Sequence, residues 1–321
     1  MMKIRILTAE DVHFALPMRE AVQAMKPAFG QFSAGRATVP LRSSLPTENG
    51  VTLLMPAYLQ DNRNLAVKIV SIYGQNPGLG FPTVAAVVIV LDPDTGRPLA
   101  LMDGGSLTAI RTGAAGGLAA ELLSRSDARK VALFGAGVQG RSQLEGVMAV
   151  RAIDEVFLID RNVEKAKALM EEILAWPNGP AVFIPSSPKE ALKRAHIVLA
   201  ATTSKTPLFD GNDLTPGTHV TGVGAFTPDM QEIDEHTVRR ATVIVDSREA
   251  CLAEAGDIIK SKAHIDAELG DIVNGSHPGR KNQEEITFFK SVGLAAQDAA
   301  AAAAIMAKAE KKGLGTLVAL S

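Results

Sequence analysis

Cysteine is nearly absent. Cys251 is the only one in 321 residues, which excludes an internal disulfide framework and a cysteine-rich zinc site and points to a reducing, cytoplasmic setting. No histidine spacing beside Cys251 would activate it, so it reads as a small packed hydrophobe. Long hydrophobic runs are missing too. Val84 to Leu91, the most apolar stretch, is too short to cross a bilayer, and residues 1–10 lack the apolar core of a signal peptide, so no membrane partner is expected. Nor does one sign of charge dominate: 33 Lys and Arg face 35 Asp and Glu without a basic cluster, which argues against nucleic acid as the main partner. The six histidines show no ligand spacing, so no metal is expected.

Glycine is present where it carries meaning. Val131 to Gly140 reads Val-Ala-Leu-Phe-Gly-Ala-Gly-Val-Gln-Gly, an apolar strand running into G-x-G-x-x-G. Gly135 permits a tight turn, Gly137 lets backbone approach a pyrophosphate, and Gly140 lets the next helix lie against the strand. Asp160 ends the following apolar run, twenty residues after Gly140, where a ribose-binding carboxylate is expected. Gly135, Gly137, Val138, Gln139, Gly140 and Asp160 are therefore candidate dinucleotide ligands. Asp160 favours NAD by repelling a 2′-phosphate, whereas Arg161 beside it leaves NADP possible.

Between Val131 and Ser247, apolar runs alternate with helical patterns, the signature of an α/β doubly wound parallel sheet of Rossmann type. Six strands are expected: Val131 to Phe134, Val156 to Ile159, Val182 to Pro185, Ile197 to Ala201, His219 to Val223 and Val243 to Asp246. Helices fit Gly140 to Val150, Val163 to Ala175 and Pro188 to Arg194, the last capped by Ser186 or Ser187. Ligands lie outside the carboxyl ends of such strands, which adds Thr202, Thr203, Ser204 and Val223 to the nucleotide set. Thr112 and Gly113 are expected to open a helix and donate to the pyrophosphate.

The first 115 residues differ in texture and suggest a second, α+β domain. A helix is expected from Thr8 to Ser33, then strands near Val51 to Met55, Leu65 to Ser71 and Val84 to Leu91, with Asp92-Pro-Asp-Thr-Gly96 closing a hairpin. Val292 to Lys311 is an alanine-rich helix with Gly313 and Gly315 as stop signals, and it either returns to the first domain or packs on a partner. Lys68 interrupts the apolar run Leu65 to Val70; unless paired, a lysine there faces solvent or lines a cleft.

Several further blocks stand in order along the chain: Gly80-Phe-Pro-Thr-Val84, Thr95-Gly-Arg-Pro-Leu-Ala100, Met102-Asp-Gly104, Leu107-Thr-Ala-Ile-Arg-Thr-Gly113, Gly135-Ala-Gly-Val-Gln139, and Glu285-Ile-Thr287 with Phe289-Lys-Ser-Val-Gly-Leu294. Together they resemble the ornithine cyclodeaminase and mu-crystallin family over almost the whole chain. The resemblance implies an NAD(P)-binding Rossmann domain, residues 116–296, and a substrate and dimerisation domain, residues 1–115 plus 297–321, in a homodimer. It also implies substrate-binding cations at Arg42, Lys68 and Arg111, turns Lys68 toward a cleft, and places a catalytic carboxylate at Asp229; a helix-capping aspartate is the alternative reading of Asp229.

Substrates of that family carry a carboxylate beside the carbon that gains or loses hydride, and arginine suits a carboxylate through two parallel hydrogen bonds. Lys68 then holds the carboxylate or polarises the reacting group, while Asp229 stabilises an iminium or exchanges a proton with nitrogen. The departures matter. Phe226-Thr-Pro-Asp-Met-Gln-Glu232 lacks the proline-glycine-lysine that follows the aspartate in the best-known cyclodeaminases, and Leu53 and Leu54 stand where some members place a polar contact. Glu48 is the only nearby acid for a second amino group. The expected activity is thus an NAD(P)-dependent oxidoreductase acting on the C–N bond of a small amino or cyclic imino acid, of alanine dehydrogenase or pyrroline-2-carboxylate and ketimine reductase type. An ammonia-releasing ornithine cyclodeaminase is the runner-up, and a mu-crystallin-like NAD(P)H-dependent binding protein is the alternative from another class.

Overall fold

The apolar runs after Val131 pair as parallel strands, and two further strands join them. In the computed structural model, which describes residues 2–320, this sheet has eight strands rather than six. Its order is Ala181–Phe183, Glu155–Ile159, Lys130–Phe134, Ile197–Ala200, His219–Gly222, Thr287–Lys290, Thr242–Val245 and Ala267–Glu268, every pairing parallel. Thr287–Lys290 inserts between the two strands expected to end the sheet. It is four residues long with no alternation, because both faces are buried, so period and length give little signal there.

The helices follow from their caps. Asn162 accepts from the Glu164 and Lys165 amides to start Val163–Leu174, and Ser187 accepts from the Glu190 amide ahead of Pro188–Leu192. Val138–Met148 begins two residues earlier than expected, with Gly137 as its cap. Among the described residues, no helix is long and apolar enough to cross a membrane.

The second sheet is mixed. Its order is Thr316–Ala319, Lys3–Leu7, Pro98–Asp103, Val84–Leu91, Asn64–Ile72, Val51–Leu59 and Ala37–Thr38, with Ser43–Pro46 also on Val51–Leu59. Asp92 closes the expected hairpin: its amide donates to the Arg97 carbonyl, its Oδ1 accepts from the Asp94 and Thr95 amides, and Gly96 supplies a φ of 71°. The single helix expected from Thr8 to Ser33 is two, Ala9–Ala15 and Met18–Ser33. Pro17 is the cause, since the residue before a proline is driven out of helical geometry, and Leu16 lies at φ −130° and ψ 78°. Helices Met18–Ser33 and Ala295–Lys312 cover the buried face of this sheet. Gly313, at φ 68°, caps the second of them, whereas Gly315 leads into the last strand, where an added Cβ would lie 2.4 Å from the Ile6 carbonyl oxygen.

The chain divides into two compact units, one up to Arg111 and again from Leu294, the other Thr112–Gly293. The divisions lie a few residues before the expected 115/116 and 296/297. The first falls inside the helix Gly104–Leu123, which places Thr112 and Gly113 in a helix interior rather than at a helix start. Their expected role as opening amide donors is corrected accordingly.

Candidate functional site

In the first unit, register decides which way Lys68 points. It lies opposite Met55 and Val88 on the antiparallel strands, sharing their buried face, and it is 2% exposed. It does not reach solvent. Asp298, on the first turn of Ala295–Lys312 and 1% exposed, sits with Oδ2 2.7 Å from Lys68 Nζ and Oδ1 3.0 Å from Arg111 Nε. Both contacts are buried ion pairs. Arg111 Nη1 donates to Gln297 Oε1 at 2.6 Å. Arg42 is half-buried, and its charge is felt at Lys68.

This crowding tunes the lysine. Burial, then the Arg111 charge, push the Lys68 pKa from 10.5 down to about 8, while Asp298 opposes the fall. The structure thus brings Arg42, Lys68 and Arg111 together and adds an anion that sequence reasoning missed. The missed signal was present: Asp298 is the one charged residue between Leu294 and Lys308 in an alanine-rich helix, and the burial argument made for Lys68 applies equally to it. Strand alternation also separates the two leucines. Leu53, opposite Val70, shares the face of Met55 and Lys68, whereas Leu54, opposite Ile69, is on the other face and does not line this cluster.

In the second unit, Gly135 has φ +103° and ends the Lys130–Phe134 strand. A Cβ on Gly140 would lie 1.9 Å from the Gly135 carbonyl oxygen, so the helix approaches as closely as glycine allows. A Cβ on Gly137 would meet nothing within 4 Å, which leaves open space over the turn. Val138 is exposed, and the half-buried Gln139 keeps its side-chain oxygen without a hydrogen-bond partner among the described residues. Asp160 Oδ2 accepts from the Ala136 amide and Oδ1 from the Asn162 amide, both at 2.8 Å, which fixes the carboxylate at the strand end. Arg161 is exposed beside it. A tight glycine turn, open space above it, a helix start and an anchored carboxylate fit a dinucleotide.

Thr202, Thr203 and Ser204 follow Ile197–Ala200, and Val223 follows His219–Gly222, both at carboxyl ends. Thr203 is exposed, and Ser204 donates from its amide to Thr202 Oγ1 and from Oγ to the Thr206 carbonyl. Thr112 Oγ1 belongs to a residue whose carbonyl accepts from Gln143 Nε2 at 2.7 Å. Asp229 lies in an exposed turn and caps no helix. Lys205 Nζ stands 2.7 Å from its Oδ2, Thr227 Oγ1 donates to Oδ1 at 2.6 Å, and Lys260 Nζ donates to its carbonyl. The Lys205 ammonium, then the Thr227 hydroxyl, hold the Asp229 pKa down at about 2. The buried histidine, His219, bridges Thr287 and Thr221, and burial drives its pKa to about 3. Cys251 is buried against Asp246, and burial raises its pKa far above the usual thiol value.

Comparison with known proteins bears on both constellations. The sequence profile of the ornithine cyclodeaminase/mu-crystallin family matches residues 2–313. A Delta(1)-pyrroline-2-carboxylate reductase of Bacillus cereus is 38% identical over 320 residues, covering 97% of this chain and 98% of its own. The Thermococcus litoralis Delta(1)-pyrroline-2-carboxylate reductase, solved in complex with NADH and L-proline, superposes with a TM-score of 0.92 at 41% identity, covering 98% of this chain and 99% of that one. An archaeal alanine dehydrogenase dimer with bound NAD gives a TM-score of 0.93 at 33% identity over 100% of both chains.

Proposed function

Because the chain belongs to the ornithine cyclodeaminase/mu-crystallin family, we propose that it is an NAD-dependent oxidoreductase acting on the C–N bond of a small amino or cyclic imino acid, with reduction of Δ1-pyrroline-2-carboxylate as its leading reaction. The observation that carries this reading is the buried Lys68–Asp298–Arg111 cluster. Two cations sunk below the surface beside one anion leave net positive charge, and an amino-acid carboxylate is the partner that balances it. Lys68 has three donors and Arg111 five, of which Asp298 and Gln297 occupy only part. Gln297 Nε2 is buried with no hydrogen-bond partner among the described residues and can donate to the same ligand.

Bound NADH supplies the hydride. The protein's own contribution is position and charge. Lys68 and Arg111 hold the carboxylate and so orient the adjacent imine carbon. Asp298 keeps the two cations from repelling one another. Asp229, the expected catalytic carboxylate, is held ionised at neutral pH by Lys205 and Thr227, which suits charge stabilisation rather than proton donation. For the nucleotide, Asp160 offers its remaining lone pairs to ribose hydroxyls and repels a 2′-phosphate, which supports NAD over NADP.

The proposed homodimer is supported by the other face of the first sheet. Leu54, Ile69 and Val87 form one row across three strands, and Pro56, Val67, Ile89 and Leu101 form the next across four. Leu54 and Val87 are exposed and the others half-buried, so a continuous apolar face lacks a cover among the described residues. A second copy of the same face supports a closed two-fold pairing.

The assay is loss of NADH absorbance with three substrates in parallel: pyrroline-2-carboxylate, pyruvate with ammonia, and ornithine with ammonia release as readout. Turnover of pyrroline-2-carboxylate is expected. Ammonia release from ornithine without net NADH change would replace the oxidoreductase with a lyase, and no turnover at all would leave a binding protein.

A further inference from the structure

We infer that Glu232 is a positioning residue for the nicotinamide end of the nucleotide site, clasping the loops that follow two adjacent strands; this rests on the NAD assignment above. Glu232 is fully buried. Its Oε1 accepts from the Thr202 amide at 2.5 Å, and its Oε2 accepts from the Gly224 amide at 2.6 Å and the Ala225 amide at 3.1 Å. Thr202 follows Ile197–Ala200, while Gly224 and Ala225 follow His219–Gly222, and those strands pair in register with Ala200 opposite Gly222. One carboxylate therefore ties together the two carboxyl-end loops that bear Thr203, Ser204 and Val223.

A buried carboxylate needs support, and the support is present. Asp257 Oδ1 accepts from the Glu232 and Ile233 amides at 2.7 and 3.0 Å, and Lys290 Nζ donates to Asp257 Oδ2 at 2.8 Å. Asp257 and Lys290 are themselves fully buried. Lys290 ends the Thr287–Lys290 strand, which pairs with His219–Gly222, one of the two clasped strands, so its charge is fixed by the sheet. The approach is also sterically set: a Cβ on Gly224 would lie 2.0 Å from the Thr202 carbonyl oxygen and 2.5 Å from Glu232 Oε1. With three amides turned inward to Glu232, the loops are held before any ligand arrives, which lowers the ordering cost of binding.

The glycine turn and Asp160 lie on the Lys130–Phe134 and Glu155–Ile159 strands and make none of these bonds, which separates the two ends of the cofactor experimentally. Titration of the full-length protein with NADH and with ADP, followed by fluorescence and calorimetry, tests the clasp. In Glu232→Gln, which turns an NH2 toward one loop's amides, NADH affinity should fall about ten-fold or more while ADP affinity stays within about two-fold. A folded variant with unchanged NADH affinity, or one losing ADP in equal measure, overturns the inference. Should Glu232→Gln not fold, Gly224→Ala pushes the loops apart without removing the buried charge and carries the same expectation. Wild-type protein that binds neither nucleotide overturns the NAD assignment and the clasp with it, and the wild-type titration distinguishes that case from failure of the clasp alone.

Discussion

Asp298→Asn removes the anion between Lys68 and Arg111 while keeping the side chain's shape. At 2.7 Å and an effective dielectric of about 20, the Lys68–Asp298 attraction has an upper bound of about 6 kcal/mol. Opposite charges at such range move a pKa by about 1 to 3 pH units, so the loss should lower Lys68 from about 8 by that amount. In the wild type at pH 7.5, roughly three-quarters of Lys68 is protonated; after a fall of about two pH units, roughly 3% remains. If the ammonium holds the substrate carboxylate, kcat/KM at that pH drops by about 25-fold and recovers as the medium is acidified. The assay is kcat/KM for pyrroline-2-carboxylate from pH 5 to 10 at saturating NADH, wild type beside variant so that substrate ionisation cancels.

Stability gives an independent readout with a definite sign. A lysine whose folded pKa lies below its unfolded value binds fewer protons when folded between the two, so stability rises with pH across that window. For wild type the window runs from about 8 to 10.5, and its full span is worth roughly 3 kcal/mol. In Asp298→Asn the rise should begin at lower pH, and Tm should be lowest in acid, where Lys68 and Arg111 have lost the anion between them. A basic limb that stays near 8, or an activity loss that is uniform across pH, would refute the account of Lys68 as a tuned ammonium.

Other perturbations separate the two constellations. Lys68→Ala should lower turnover by about two orders of magnitude or more with NADH affinity nearly intact, measured by steady-state kinetics and nucleotide titration; equal loss of both would make Lys68 a support of the fold. Gly140→Ala brings a methyl to 1.9 Å from the Gly135 carbonyl oxygen, so nucleotide binding should be lost in calorimetry while the apolar sheet face still associates. Asp160→Ser, next to Arg161, should raise the NADPH to NADH ratio of kcat/KM; an unchanged ratio removes Asp160 from the ribose. Ile69→Lys places a charge in the uncovered row and should yield monomers in light scattering, whereas a wild type already monomeric ends the dimer reading.

What the sequence disclosed tracks how local each signal is. The glycine turn, the Asp160 strand end, the Asp92 hairpin and the capped helices each rest on residues within a few positions of one another, and the structure forms them all. Thr287–Lys290 was missed because a strand buried on both faces has no period, and Thr316–Ala319 because an edge strand pairing with Lys3–Leu7 is fixed by a partner over three hundred residues away. The Gly104–Leu123 helix was misread at its start. Its apolar character on all sides hides the amphipathic stripe that would have marked a beginning near Gly104 rather than Thr112.

The site divides along the same line. Lys68 was legible because a cation in an apolar strand demands a partner, and the family resemblance then turned it inward; the partner was not legible, because Asp298 lies 230 positions away on a helix whose alanines suggested only close packing. Yet those alanines are what let Asp298 reach. Ala295–Lys312 packs on both the Val51–Leu59 and Asn64–Ile72 strands, and small side chains around Asp298 permit the approach that a short carboxylate needs to sit 2.7 Å from Lys68. A bulkier residue at Ala299 or Ala301, both nearly or fully buried, would therefore lift the helix and part the ion pair without touching a charged group. Ala301→Leu should reproduce the Asp298→Asn shift of the basic limb in weaker form, and a variant that loses stability with its pH profile unmoved would show that helix packing and Lys68 tuning are separate matters.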